Sequence, residues 1–115
     1  MFTHFIFLPF ELKERLNITP EEIAKLCQQW NITELTLFGS VLSQRFNADS
    51  DVDILIRFAP DARQGLLTLS KIKHELEIKI RRKVDISLRE SIENSENWIR
   101  RHEILKTAQV IYEQR

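Results

Sequence analysis

The sequence predicts an α/β (α+β) domain in which a small mixed β-sheet carries helices packed against it. Three observations lead there. Asp53-Ile54-Leu55-Ile56-Arg57-Phe58 is a continuous apolar run of strand length, the pattern of a central strand covered on both faces. Leu66, Leu69, Ile72, Leu76 and Ile80 recur every three or four positions, which is the spacing of one helical face. Segments of the two kinds alternate along the chain, and alternation favours helices laid on a sheet.

Taken in order, the first well-signalled element opens at Thr19-Pro20-Glu21-Glu22. Thr suits the N-cap, Pro the first helical position, and the acids the positive end of the helix dipole. The helix is expected to run to about Trp30, burying Ile23, Leu26, Cys27 and Trp30. Leu35, Leu37 and Phe38 read as a short strand that turns at Gly39-Ser40, with a short helix to follow. After the 53–58 strand, ended by Pro60, a long amphipathic helix is expected from Ala62 to Ile80. Val84-Asp85-Ile86 reads as another short strand, with Val and Ile on one face and the carboxylate on the other. Ile104, Leu105, Ala108 and Ile111 are spaced as a stripe, so a closing helix is expected over Ile99 to Ile111. The stretch 87–97 carries no clear pattern.

The 115 residues fit a single domain, residues 1–115, with no repeat, low-complexity tract or linker. Hydrophobic residues are 43% and charged residues 30%, ordinary for a folded domain. Seventeen basic and seventeen acidic side chains cancel, so no global positive field draws the chain to a polyanion, and nucleic acid is not the expected ligand. Cys27 is the only cysteine, which excludes an intramolecular disulfide and a paired-cysteine zinc site. No apolar stretch approaches the roughly 20 residues that cross a bilayer, and Met1 to Phe10 lacks the layout of an export signal. A cytoplasmic protein with no membrane partner is expected. The phenylalanines, Trp30 and Trp98 sit among apolar residues and are expected to be buried rather than to stack on bases.

Chemistry concentrates in residues 37–56. Gly39-Ser40 lies between a strand and a short helix, where glycine lets backbone approach a ligand and the exposed amides favour a phosphate. Asp51 and Asp53 are two apart at the start of a strand, so both carboxylates point to one side. Paired carboxylates suit magnesium, which combines a few such ligands with water and substrate phosphates. Asp85 is a candidate third ligand if its strand lies beside that of Asp53. Two ions held together can stabilise both the attacking and the departing oxygen of a phosphoryl displacement. A lone Gly-Ser is usually a turn and a lone Asp-x-Asp a strand-edge feature; their combination is more specific. Arg81-Arg82-Lys83 could neutralise a triphosphate or an acidic partner, although a short charge run is usually solvated surface.

Gly39-Ser40, a ten-residue spacer, Asp51-Val52-Asp53 and Val84-Asp85-Ile86 together resemble the minimal nucleotidyltransferase (MNT) family, over about Ile18 to Glu113. The resemblance implies the polymerase-beta-like nucleotidyltransferase fold, with Gly39 and Ser40 binding the phosphates of ATP and with Asp51, Asp53 and Asp85 as catalytic residues that bind Mg2+. It also implies an antitoxin, in a possible hetero-oligomer with a HEPN-type toxin, that transfers AMP to a tyrosine of that partner. Many members of the family carry Arg-Gly or another basic residue in the spacer. Here the chain reads Leu42-Ser43-Gln44 before Arg45, which implies a weaker or differently organised triphosphate contact. Two other functions compete: a module that neutralises its partner by binding alone, and a small-molecule nucleotidyltransferase, which would generally need a further substrate-binding domain.

Overall fold

The structure, a computed structural model, describes residues 4–62 and 65–114. The elements run β1 (His4–Ile6), α1 (Phe10–Leu16), α2 (Pro20–Gln29), β2 (Ile32–Phe38), a 3₁₀ turn (Gly39–Leu42), β3 (Val52–Phe58), α3 (Leu66–Ile80), β4 (Val84–Leu88), α4 (Arg89–Glu93), α5 (Trp98–Thr107) and β5 (Gln109–Gln114). The sheet order is β1-β5-β2-β3-β4. Three pairings are antiparallel, and β3 with β4 is parallel. The parallel pair requires a crossover, which α3 provides.

Local chemistry sets the helix ends. The Thr19 hydroxyl accepts from the Glu22 amide at 3.2 Å, and Glu22 accepts from the Thr19 amide at 3.0 Å, a reciprocal cap that satisfies two orphan donors. That cap, chiefly the bond from the Thr19 backbone, holds the Glu22 carboxyl below its usual value. At the far end Arg81 takes a left-handed conformation, and its amide returns to the Glu77 carbonyl at 2.8 Å, closing α3.

Leu16, Ile23, Leu26 and Cys27 from the first two helices and Ile72, Leu76 and Ile80 from α3 pack on Leu35, Leu37, Ile54 and Ile56 of the sheet. Burial of this kind contributes about 1.5–3 kcal/mol per large apolar side chain. Cys27 is fully buried, and desolvation pushes its thiol far up, so it is packing and not a nucleophile.

The other face of the sheet carries a polar network beside the buried Leu55. Arg89 donates to Thr36 at 3.2 Å and pairs with Glu34 at 3.1 Å, while Arg57 pairs with Glu90 at 3.3 Å and Glu93 at 3.0 Å. This network fastens α4 to β2 and β3 and organises part of the unpatterned 87–97 stretch.

Several expectations are corrected. The closing helix ends at Thr107, and Gln109–Gln114 is a strand between β1 and β2. Spacings of three and four mimicked a helical stripe there, but Val110, Ile111 and Tyr112 are strand formers with two neighbouring strands to pair with, and that pairing wins. The long helix begins at Leu66 after Gly65 at φ 142°, with Ala62 outside it and positions 63–64 outside the described residues. Leu66 is exposed rather than part of the buried face, and so are Phe5, Phe7, Phe10 and Trp98, against the expected burial of aromatics. Trp30 caps α2 half-buried, its indole N–H donating to Glu75 at 2.9 Å. Strand β1 and helix α1 add elements in a region that carried no assignment. No described helix is long and apolar enough to cross a membrane.

Candidate active site

The site lies where β2 ends and β3 and β4 begin. Phe38, the last residue of β2, is paired with Asp53, and Asp53 is paired on its other side with Asp85. The antiparallel β2–β3 pair and the parallel β3–β4 pair therefore bring the turn and two of the acids to one end of the sheet. Val84 is buried and Asp85 exposed, as the alternation of a strand requires. Asp51 is exposed just ahead of β3, where the Val52 amide donates to the Lys83 carbonyl at 2.9 Å.

Gly39 has φ +77°, and a Cβ placed on it would collide with the Asp53 carboxylate. The glycine thus makes room for Asp53 as well as permitting the left-handed turn. The helix after the turn is one 3₁₀ turn of four residues, so the amides it offers are those of a turn rather than of a longer helix. The Ser43 amide takes the Ser40 carbonyl at 2.9 Å. Among the described residues the Ser40 hydroxyl has no partner.

Burial raises the Asp53 carboxyl above its usual range, and the charges of Asp85 and then Asp51 raise it further. Two carboxylates felt by a third, half-buried one form an anionic field that a divalent cation would relieve. The donor chemistry fits magnesium: oxygen ligands only, from Asp53 and Asp85 on adjacent strands and from Asp51 just ahead of β3. Among the described residues no three such side chains are gathered tightly enough to form a finished cage. Magnesium completes its shell with water and substrate phosphates, so a preassembled cage is not required.

Three supports were not legible as such. Arg15 on α1 donates to the Val41 and Ser43 carbonyls, both at 2.7 Å, closing the 3₁₀ turn. Arg82 donates to the Asn47 carbonyl at 2.6 Å and the Ser50 carbonyl at 3.2 Å, holding the loop that delivers Asp51. Both guanidinium groups lie against the Phe46 ring, at 5.4 Å for Arg15 and 4.1 Å for Arg82. The 81–83 charge run is therefore divided, with Arg82 engaged in structure. Arg45 is exposed. The only sequence signal for this clamp was the presence of Arg on each side of an aromatic residue, far apart in the chain.

Asp51 and Asp85 also line an open cleft of about 730 Å3 whose other wall is α3 and the segment leading into β4. Gly39, Ser40 and Asp53 are not among its lining residues.

The family model of the nucleotidyltransferase domain matches residues 21–111. A solved structure assigned as a minimal nucleotidyltransferase is 27% identical, with a TM-score of 0.59 over 77% of this chain and 85% of that one. A toxin–antitoxin structure with AMP-PNP superposes with a TM-score of 0.62 at 16% identity, covering 84% of this chain and 74% of that one. A variant of the MntA–HpeT toxin–antitoxin pair gives 0.55 at 13% identity, with 84% and 74% covered. At those two identities the likeness is one of fold. No curated protein matches the chain. With a match across most of its length, and with turn and acids at one end of the sheet, the chain belongs to the nucleotidyltransferase domain family.

Proposed function

We propose that this chain is a single-domain, magnesium-dependent protein adenylyltransferase that moves AMP from ATP to a tyrosine hydroxyl of a HEPN-type toxin partner, and so acts as the antitoxin. The observation that carries the reading is the pairing of Asp53 with Asp85 beside Asp51, with the Gly39-Ser40 turn on the β2 side. Support for the toxin partner comes from the toxin–antitoxin structures that share the fold, and support for ATP from the AMP-PNP in one of them. A cytoplasmic setting and a hetero-oligomer with the toxin belong to the same proposal.

Gly39 and Ser40 would receive the phosphates through turn amides and the free Ser40 hydroxyl. Asp51, Asp53 and Asp85 would hold Mg2+, which when bound offsets the charge on the reacting phosphate oxygens. The tyrosine oxygen bonds to the α-phosphorus as the α–β anhydride bond breaks and pyrophosphate departs. Asp85, exposed on β4, would take the hydroxyl proton.

Neutralisation by contact alone is the second reading, and the toxin–antitoxin structures that share the fold support it equally. The two readings separate in a transfer assay with ATP labelled on the α-phosphate, magnesium and the partner. Label should enter the partner with wild type and not with Asp51→Asn, Asp53→Asn or Asp85→Asn. Partner inhibition without label from wild type would leave contact as the function.

A further inference from the structure

Three cations beside the candidate site are left without a bonded partner among the described residues. Lys73 on α3, Arg81 at its C-terminal cap and Lys83 ahead of β4 line the same open cleft as Asp51 and Asp85. All three are exposed, and among the described residues their side chains make no hydrogen bond or ion pair. Neighbouring charges are already engaged. Lys79 pairs with Glu22 at 3.6 Å, Arg82 holds the Asn47 and Ser50 carbonyls, and Glu77 accepts from the Val84 amide at 2.9 Å.

Cations are favoured at a helix C-terminus, but that field fades within the last turn. Lys73 lies eight residues before Arg81, roughly two turns back along the same face. Arg81 holds its position at φ 63°, a conformation in which glycine or asparagine would be more at ease. The dipole therefore does not account for the group.

The position of the cleft indicates what it receives. Gly39-Ser40 lies at the end of β2, whereas the cleft lies at β4, on the other side of β3. A nucleotide seated at the turn leaves the cleft on the side from which an acceptor reaches Asp85. A nucleic-acid strand suits it poorly, because its phosphates would also meet Asp51 and Asp85 and the chain has no net positive charge. Acidic side chains on a short protein segment could reach the three cations while holding their backbone clear of the two acids.

We propose that the cleft docks the acceptor protein through an acidic segment, with Asp or Glu residues flanking the acceptor hydroxyl set against Lys73, Arg81 and Lys83. This rests on the nucleotidyl-transfer reading above for the identity of the segment as acceptor.

The test uses the full chain and two fluorescent peptides, a tyrosine flanked by glutamates and its glutamine-flanked twin, with binding read by anisotropy. Wild type should bind the acidic peptide at least about tenfold more tightly, with the preference shrinking as salt rises. Combined Lys73→Glu, Arg81→Glu and Lys83→Glu should erase it, and Lys73→Glu alone should reduce it if the combined variant does not fold. Equal binding of the two peptides to wild type, or a preference that survives charge reversal, overturns the proposal. Transfer from ATP to each peptide is measured in parallel. Preferred binding without transfer counts against the transfer reading and leaves acidic docking standing, whereas equal transfer to both peptides with equal binding does the reverse.

Discussion

Asp53 on β3 and Asp85 on β4 are paired across the parallel β3–β4 ladder, and the Asp85 charge is, after burial, the largest influence raising the Asp53 carboxyl. Between the ordinary and the raised value, the folded chain holds a proton that the unfolded chain has released. Stability from this group is therefore present below the ordinary carboxylate value and is lost as pH rises through the raised one.

Asp53→Asn should accordingly raise the melting temperature of the metal-free protein at neutral pH, on the order of a few degrees, and flatten that part of its pH dependence. Magnesium should then stabilise wild type but not Asp53→Asn, because a ligand stabilises the state that binds it. Thermal melts across pH, with and without magnesium, check both. A lower melting temperature for Asp53→Asn would show that the carboxylate is a structural anchor.

Gly39→Ala should impair transfer at least about tenfold, since a displaced reacting group costs that much or more. The added methyl meets the Asp53 carboxylate and is held at a positive φ. The strain costs about 1–2 kcal/mol, so the fold should survive. Transfer kinetics alongside circular dichroism and a urea melt separate the two effects, and full activity would remove the glycine from the site.

Arg82→Ala should loosen the loop ahead of Asp51, with a cost of about 1–3 kcal/mol for the lost charged hydrogen bonds. Amide exchange should speed up over residues 43–50 more than in the central strands. Arg82→Lys keeps the charge but not the reach to both carbonyls, and should recover only part of the protection. Unchanged exchange in Arg82→Ala would mean that Arg15 and the local Asn47 and Ser50 bonds hold the loop alone.

Much of the candidate site's placement was legible because its signals are local. The spacing of Asp51, just ahead of β3, and Asp53 within it, like the Gly39-Ser40 turn, follows from adjacent residues, and all four lie at one end of the sheet with Asp85. Register was not legible: nothing within Val84-Asp85-Ile86 states that its neighbour is β3. The Arg15–Phe46–Arg82 clamp joins residues distant in sequence and leaves no periodic trace. Strand β5 was misread as helix because its spacing satisfies both patterns over a few residues, and only the two strands beside it decide. The exposed Phe5 shows the same limit, since an edge strand and a central one look alike in composition.

Tyr112 offers a control away from the site. Its ring stacks on His4 at 5.6 Å, and its buried hydroxyl has no hydrogen-bond partner among the described residues. An unpaired buried hydroxyl costs about 1–3 kcal/mol, so Tyr112→Phe should leave the protein as stable or more stable, with transfer unchanged. A clear loss of stability in urea unfolding would reveal a partner for the hydroxyl.

Nucleotide transfer through the carboxylates is what would separate an enzyme from a module that acts by binding alone. The most direct measurement is the intact mass of the HEPN-type partner after incubation with ATP, magnesium and either wild type or Asp53→Asn, followed by separation and an RNA-cleavage assay. Wild type should leave AMP on a partner tyrosine, the partner should stay inactive after separation, and Asp53→Asn should add no mass. A partner that gains no mass from wild type, and is inhibited only while bound, would contradict the transfer reading.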